Sequence, residues 1–178
     1  MPNQFALDVT KIRDDARRQL EEGPVTATYG GDTNPVLDIL NQVVATEMVC
    51  YLRYTQNAIT AAGIDRARVS AEFQEHAAEE LQHGLRAAER IDQLGGSPDF
   101  DPATLAQRAH TEYSAPGATD LDTMLRENLV AERIVISSYQ EIIRWIGDSD
   151  PTTRRLMEDI LEEEEEHASD LTDLLGIG

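Results

Sequence analysis

Apolar residues recur along this chain at alternating steps of three and four, the rhythm of helices that each bury one face. Residues 8–22 predict a short amphipathic helix with Val9, Ile12, Ala16 and Leu20 on one side. Four longer helices are expected over about 35–62, 67–94, 120–147 and 151–175. The third opens behind Thr119 and Asp120, and the fourth has Asp150 as a cap and Pro151 at its first helical position. Gly23-Pro24, Gly30-Gly31-Asp32, Gly63, Gly95-Gly96-Ser97-Pro98 and Gly147 supply the breaks. No stretch alternates apolar and polar residues long enough for a strand, and no tandem repeat is found. The chain thus divides into an N-terminal arm, 1–33, and a bundle domain, 34–178.

The links carry topology. Those at 63–66 and 148–150 are short, so the helices they join pack antiparallel. The link over 95–119 is long, with room for a short helix at 102–112. The expected fold is all-α: a four-helix bundle with one long crossover between its second and third helices, plus the short N-terminal helix.

Acid interrupts every core stripe. The first long helix presents Val36, Leu40, Val43, Glu47, Cys50 and Tyr54. The second presents Val69, Phe73, His76, Glu80, His83, Ala87, Ile91 and Leu94. The third presents Leu121, Leu125, Asn128, Glu132, Val135, Tyr139, Ile142 and Ile146. The fourth presents Met157, Ile160, Glu164, His167, Leu171 and Leu174. Each glutamate lies near the middle of its helix, so the four meet at one level whichever way the helices run. His83 and His167 follow Glu80 and Glu164 by three residues, one turn along the same face.

Unpaired carboxylates in a core cost several kcal/mol each, and like charges raise one another's pKa. Two divalent cations balance four carboxylates, and two neutral imidazoles add nitrogen ligands. Such a donor set suits iron or manganese, and zinc could substitute. The run Glu162 to Glu166 is otherwise a solvated face; only Glu164 has the phase of the stripe.

Charge narrows the partners. Fifteen basic against 34 acidic residues leave a net charge of −19, and Lys11 is the one lysine. Such a surface repels phosphate backbones and anionic lipid, so direct nucleic-acid binding and membrane association are not expected. Cys50, the one cysteine, excludes an intrachain disulfide and multi-cysteine metal sites. No apolar run approaches the ~20 residues of a membrane span. The start, Met1-Pro-Asn-Gln-Phe-Ala-Leu-Asp, has no signal-peptide pattern, which points to the cytoplasm.

Four segments resemble the ferritin-like superfamily, closest to its bacterioferritin branch: Glu47-Met-Val-Cys-Tyr-Leu-Arg-Tyr54, Glu80-Leu-Gln-His83, Ala131-Glu132 and Ile160-Leu-Glu-Glu-Glu-Glu-Glu-His167. The resemblance covers about 35–175, and the fold it implies is the ferritin-like four-helix bundle. It implies that Glu47 and His83 bind one iron and Glu132 and His167 the other, with Glu80 and Glu164 bridging. Tyr54 matches a tyrosine beside the di-iron centre of bacterioferritins. Their haem-binding methionine is replaced by Leu81, so haem is not expected. Val135 stands where rubrerythrins place an additional glutamate, and the chain has no rubredoxin-like cysteine domain. With no fifth helix, the chain looks more like 12-subunit Dps-like mini-ferritins than 24-subunit shells. Their thiol pair is absent, since Cys50 stands alone.

The function this implies is an iron-storing ferroxidase with two iron ions per subunit. Oxygen or hydrogen peroxide oxidises ferrous iron, and the product is stored in a homo-oligomeric shell. The alternative is a non-storing di-metal oxidase or peroxidase, and a third reading is a bundle merely stapled by metal. Near the centre, Cys50 reads as a small core residue and Asn128 as a partner for a polar neighbour. Tyr54 suits either hydrogen bonding and electron supply or plain packing. His76 reads first as a hydrogen-bonded structural histidine, with a transient metal ligand near the entrance as the alternative. His110 and Trp145 carry no signal.

Overall fold

In the computed structural model, which describes residues 6–30, 32–114 and 120–177, the elements are α1 (Val9–Arg18), a 3₁₀ turn (Leu20–Glu22), α2 (Thr33–Thr60), α3 (Arg66–Gln93), α4 (Leu105–Arg108), α5 (Leu121–Ile146) and α6 (Pro151–Leu175). No strand occurs among the described residues, and no helix there is long and apolar enough to cross a membrane. Gly31 and Thr119, invoked above as a break and a helix start, lie outside the described residues.

Local chemistry sets the helix starts. The carboxylates of Asp32, Asp120 and Asp150 accept hydrogen bonds from the backbone N–H groups of Asn34, Thr123 and Thr153, satisfying first-turn donors of α2, α5 and α6. At the other end of α6, Gly176 adopts the left-handed conformation (φ 64°) that closes a helix at little steric cost.

The bundle is two hairpins, α2 with α3 and α5 with α6, and it closes through α2–α5 and α3–α6 contacts. Every residue of the four stripes is buried except Leu121 and Leu174, which are half-buried. Their apolar members form two clusters. One gathers Leu40, Val43, Ile91, Ile142, Met157 and Ile160; the other gathers Tyr54, Val69, Phe73, Met124, Leu125 and Leu171. An acidic belt separates the two.

Two expectations change in extent. The helix predicted over 8–22 ends at Arg18 and tightens into the 3₁₀ turn before Gly23. The helix predicted at 102–112 is the single turn α4. Its continuation is extended because the His110 N–H bonds to Thr46 Oγ1 (2.9 Å) on α2. Arg108, donating to the carbonyl of Asn41 (2.9 Å), fastens the crossover to the same helix.

The arm returns to the bundle through Val25 and Tyr29, which pack against its core. Tyr29 donates to Asp150 Oδ2 (2.8 Å), and Gly30 lies so close to the α5–α6 turn that a Cβ would stand 2.9 Å from the Ser149 carbonyl oxygen. The apolar side of α1 and the turn after it is left open by the described residues: Val9, Ile12 and Leu20 are exposed.

Candidate metal centre

Glu47 on α2, Glu80 on α3, Glu132 on α5 and Glu164 on α6 each lie within two residues of their helix midpoint. All four are completely buried, with His83 and His167 beside them. The Nδ1 of His83 is 3.0 Å from Glu164 Oε1, 3.5 Å from Glu47 Oε2 and 3.9 Å from Glu80 Oε2. The Nδ1 of His167 is 3.5 Å from Glu164 Oε2 and 3.7 Å from Glu80 Oε1. The structure therefore brings together all six polar groups that the stripes singled out.

Two overlapping sets of donor atoms result. Glu47, Glu80, His83 and Glu164 offer atoms within 4.8 Å of one another, and so do Glu80, Glu132, Glu164 and His167. Glu80 and Glu164 belong to both. Glu47 Oε2, both oxygens of Glu80, Glu132 Oε2, Glu164 Oε2 and His167 Nδ1 have no hydrogen-bond partner among the protein atoms. Buried polar groups are seldom left so. These converging hard oxygen and imidazole donors fit two divalent cations of the iron, manganese or zinc kind.

The outward atoms are held in place. Tyr139 donates to Glu47 Oε1 and Tyr54 to Glu132 Oε1, so each carboxylate is anchored by one oxygen and free at the other. His83 Nε2 bonds Glu163 Oε2 (2.8 Å), and His167 Nε2 bonds Glu79 Oε2 (2.8 Å). A carboxylate on the far ring nitrogen fixes an imidazole's orientation and makes its other nitrogen a better ligand. Arg53, also buried, donates from Nε to Asn128 Oδ1 (2.8 Å) and from Nη2 to Cys50 Sγ (3.4 Å). Asn128 thus serves a polar neighbour, and Cys50 is core.

Three contributors were missed from sequence. Glu79 and Glu163 sit one residue off the stripe, where phase assigns them to solvent. The signal was a repeat: Glu79-Glu80-x-x-His83 and Glu163-Glu164-x-x-His167 have the same form, and each leading glutamate holds the other helix's histidine. Tyr139 has only its place on the third helix's stripe to mark it, yet its hydroxyl reaches Glu47.

In the absence of cations, protons balance the belt. Burial and the charge of Glu80 push Glu47 up to about 8, and burial with Glu80 and Glu164 raises Glu132 well above the carboxylate range. Burial opposes protonation of the imidazoles, but the facing carboxylates, Glu164 foremost, outweigh it. His83 is raised far above its ordinary value and His167 to about 12. Such groups favour the metal-free fold below their unfolded pKa values, near 4.5 and 6.5, and lose that contribution as pH rises through their folded values. The melting temperature of chelator-treated protein should therefore fall from pH 5 to 9. Divalent metal, which displaces those protons, should stabilise more strongly as the pH rises.

The family model for the ferritin-like domain matches residues 37–177. Among solved structures, the chain is similar to the bacterioferritin-related protein from Bacteroides fragilis, described as a dodecameric thioferritin. Identity is 38%, the TM-score is 0.79, and the match covers 83% of this chain and 88% of that one. A nutrient stress-induced DNA-binding protein of Synechococcus is 28% identical over 76% of this chain and 78% of its own. A DNA protection during starvation protein of Pyrococcus furiosus is 29% identical over 82% and 80%.

Proposed function

The chain belongs to the ferritin-like domain family, and we propose that it is a ferroxidase that takes up ferrous iron at the belt and stores the ferric product in a shell of identical subunits. The observation that carries this reading is the set of unpartnered inward donor atoms on all four helices. Glu47 and His83 would hold one ferrous ion, Glu132 and His167 the other, and Glu80 and Glu164 would reach both. Two ferrous ions each give up one electron. Oxygen takes both electrons with two protons and leaves as hydrogen peroxide; peroxide in the same role leaves as two waters. Tyr54 and Tyr139 keep their carboxylates aimed inward, and two apolar clusters limit water on either side of the belt.

Storage rests on the dodecameric relative and on the uncovered apolar side of α1, a surface suited to a neighbouring subunit. Although two relatives are named for DNA, the charge of −19 favours protection through iron and oxidant chemistry over a grip on phosphates. The protein is proposed to work in the cytoplasm without haem.

Anaerobic ferrous titration followed by oxygen exposure, with light scattering, tests the proposal. Rapid oxidation should saturate at about two irons per chain, followed by slower uptake of many more. The particle mass should be about twelve times the 19.8 kDa chain. Oxidation that stops at two irons in a small particle would favour the non-storing oxidase, and tight binding without oxygen uptake the stapled scaffold.

The outer carboxylates supply a separate prediction. Glu163→Ala should weaken cation binding beside His83, and Glu79→Ala beside His167, each by roughly 10–100-fold. Calorimetric titration with Zn²⁺ should show one of the paired sites weakened in each variant and the other little changed.

A further inference from the structure

His76 lies one helical turn before Glu80 and is 1% exposed. Neither of its ring nitrogens has a hydrogen-bond partner, which corrects the reading of a hydrogen-bonded structural histidine. One face of the ring stacks on His167, with centroids 4.1 Å apart and planes at 23°, and Tyr54 meets it edge-on at 5.2 Å. Its Nε2 points between two acids from different helices, 3.7 Å from Glu72 Oε1 on α3 and 3.6 Å from Asp170 Oδ2 on α6.

Those separations are too long for hydrogen bonds. They are close to the roughly 3.4 Å between neighbouring ligands of a tetrahedral ion with bonds of about 2.1 Å. All three residues offer donor atoms within 4.8 Å of one another. The three line a polar cavity of about 110 Å³ together with Glu75, Glu79 and His167. That volume holds an ion with several waters. Glu72 and Asp170 are partly exposed, so the cavity can be reached from solvent. Its inner wall is His167, whose Nε2 is bonded to Glu79 and whose Nδ1 faces the belt.

We propose that Glu72, His76 and Asp170 form a third, mononuclear divalent-cation site, outside the paired centre and on the solvent side of His167. It provides one imidazole nitrogen and two carboxylates, and leaves positions for water, so its ion is exchangeable. The site stands on its own residues and does not depend on the oxidation reaction.

Calorimetric titration of the whole protein with Co²⁺, combined with anomalous diffraction from Co²⁺-loaded crystals, tests it. The wild type should bind a third equivalent, with an anomalous peak among Glu72, His76 and Asp170. His76→Phe and Asp170→Asn should each lose that equivalent and retain the other two. Asp170→Asn lies at a partly exposed position and keeps the test open if His76→Phe fails to fold. In Glu47→Gln/Glu132→Gln the third equivalent should persist while the pair is weakened. No peak at His76, or a third equivalent retained in both His76→Phe and Asp170→Asn, would overturn the proposal. A peak at His76 without a pair at the belt would instead overturn the ferroxidase reading and leave this site standing.

Discussion

Replacing Glu80 with alanine is expected to abolish cation binding at both positions of the belt and, with it, rapid ferrous oxidation. Glu80 is fully buried at the middle of α3, both of its oxygens lack protein partners, and it belongs to both donor sets. Glu47 and Glu132 each serve one set. The loss should exceed the roughly 100-fold that removal of an outer carboxylate costs. Stability of the metal-free protein should also fall. The carboxylate of Glu80 faces the raised imidazoles of His83 and His167 (3.9 and 3.7 Å), so metal-free Glu80→Ala leaves their buried charge less compensated and should melt below metal-free wild type. Glu80→Gln keeps the shape and removes the charge, and should also lose tight binding. Metal-dependent shifts in melting temperature and stopped-flow oxidation would read both effects. Wild-type oxidation in Glu80→Ala would exclude Glu80 as a shared ligand.

The second large effect is structural. Asp150 → Ala is expected to destabilise the protein by about 3–5 kcal/mol, the cost of leaving a buried ion pair half made. Arg90 Nη2 donates to Asp150 Oδ1 (3.0 Å) and Oδ2 (3.1 Å), and the Thr153 N–H (2.9 Å) and Tyr29 hydroxyl (2.8 Å) donate to the same carboxylate. One side chain therefore caps α6, neutralises a buried arginine of α3 and ties down the arm. For a chain of this length the melting temperature should drop by roughly 10 °C. Proteolysis within residues 6–30 should accelerate as Tyr29 is released. Asp150→Asn retains acceptor capacity for the cap and should cost less. A fall in melting temperature no larger for Asp150→Ala than for a surface alanine substitution would mean that this network contributes little.

The belt was legible because helical phase and height are properties of one helix at a time. A glutamate flanked by apolar residues at spacings of three and four must face inward, and four midpoints in helices of similar length must coincide. The same reasoning could not see across helices. Glu163 is one residue out of phase and its side chain is 42% exposed, yet one oxygen reaches His83 on another helix. Glu79 does the same for His167. Whether an off-stripe residue reaches a neighbour depends on how the helices are rotated against each other, which spacing within one helix does not encode. His76 illustrates a related gap. Phase put it in the core correctly, but its lack of partners follows from where α6 places Asp170 and His167. The arm was less legible still: its amphipathic pattern is real, but Val9, Ile12 and Leu20 stay exposed among the described residues, and a pattern within one helix does not say what covers it.

The central claim, that carboxylates from four helices converge on a pair of cations, is tested most directly by anomalous diffraction from crystals loaded anaerobically with ferrous iron. Two peaks are expected inside the bundle, one among Glu47, Glu80, His83 and Glu164 and one among Glu80, Glu132, Glu164 and His167. A belt without peaks, its glutamates and histidines bonded only to one another while iron decorates the acidic surface, would contradict it.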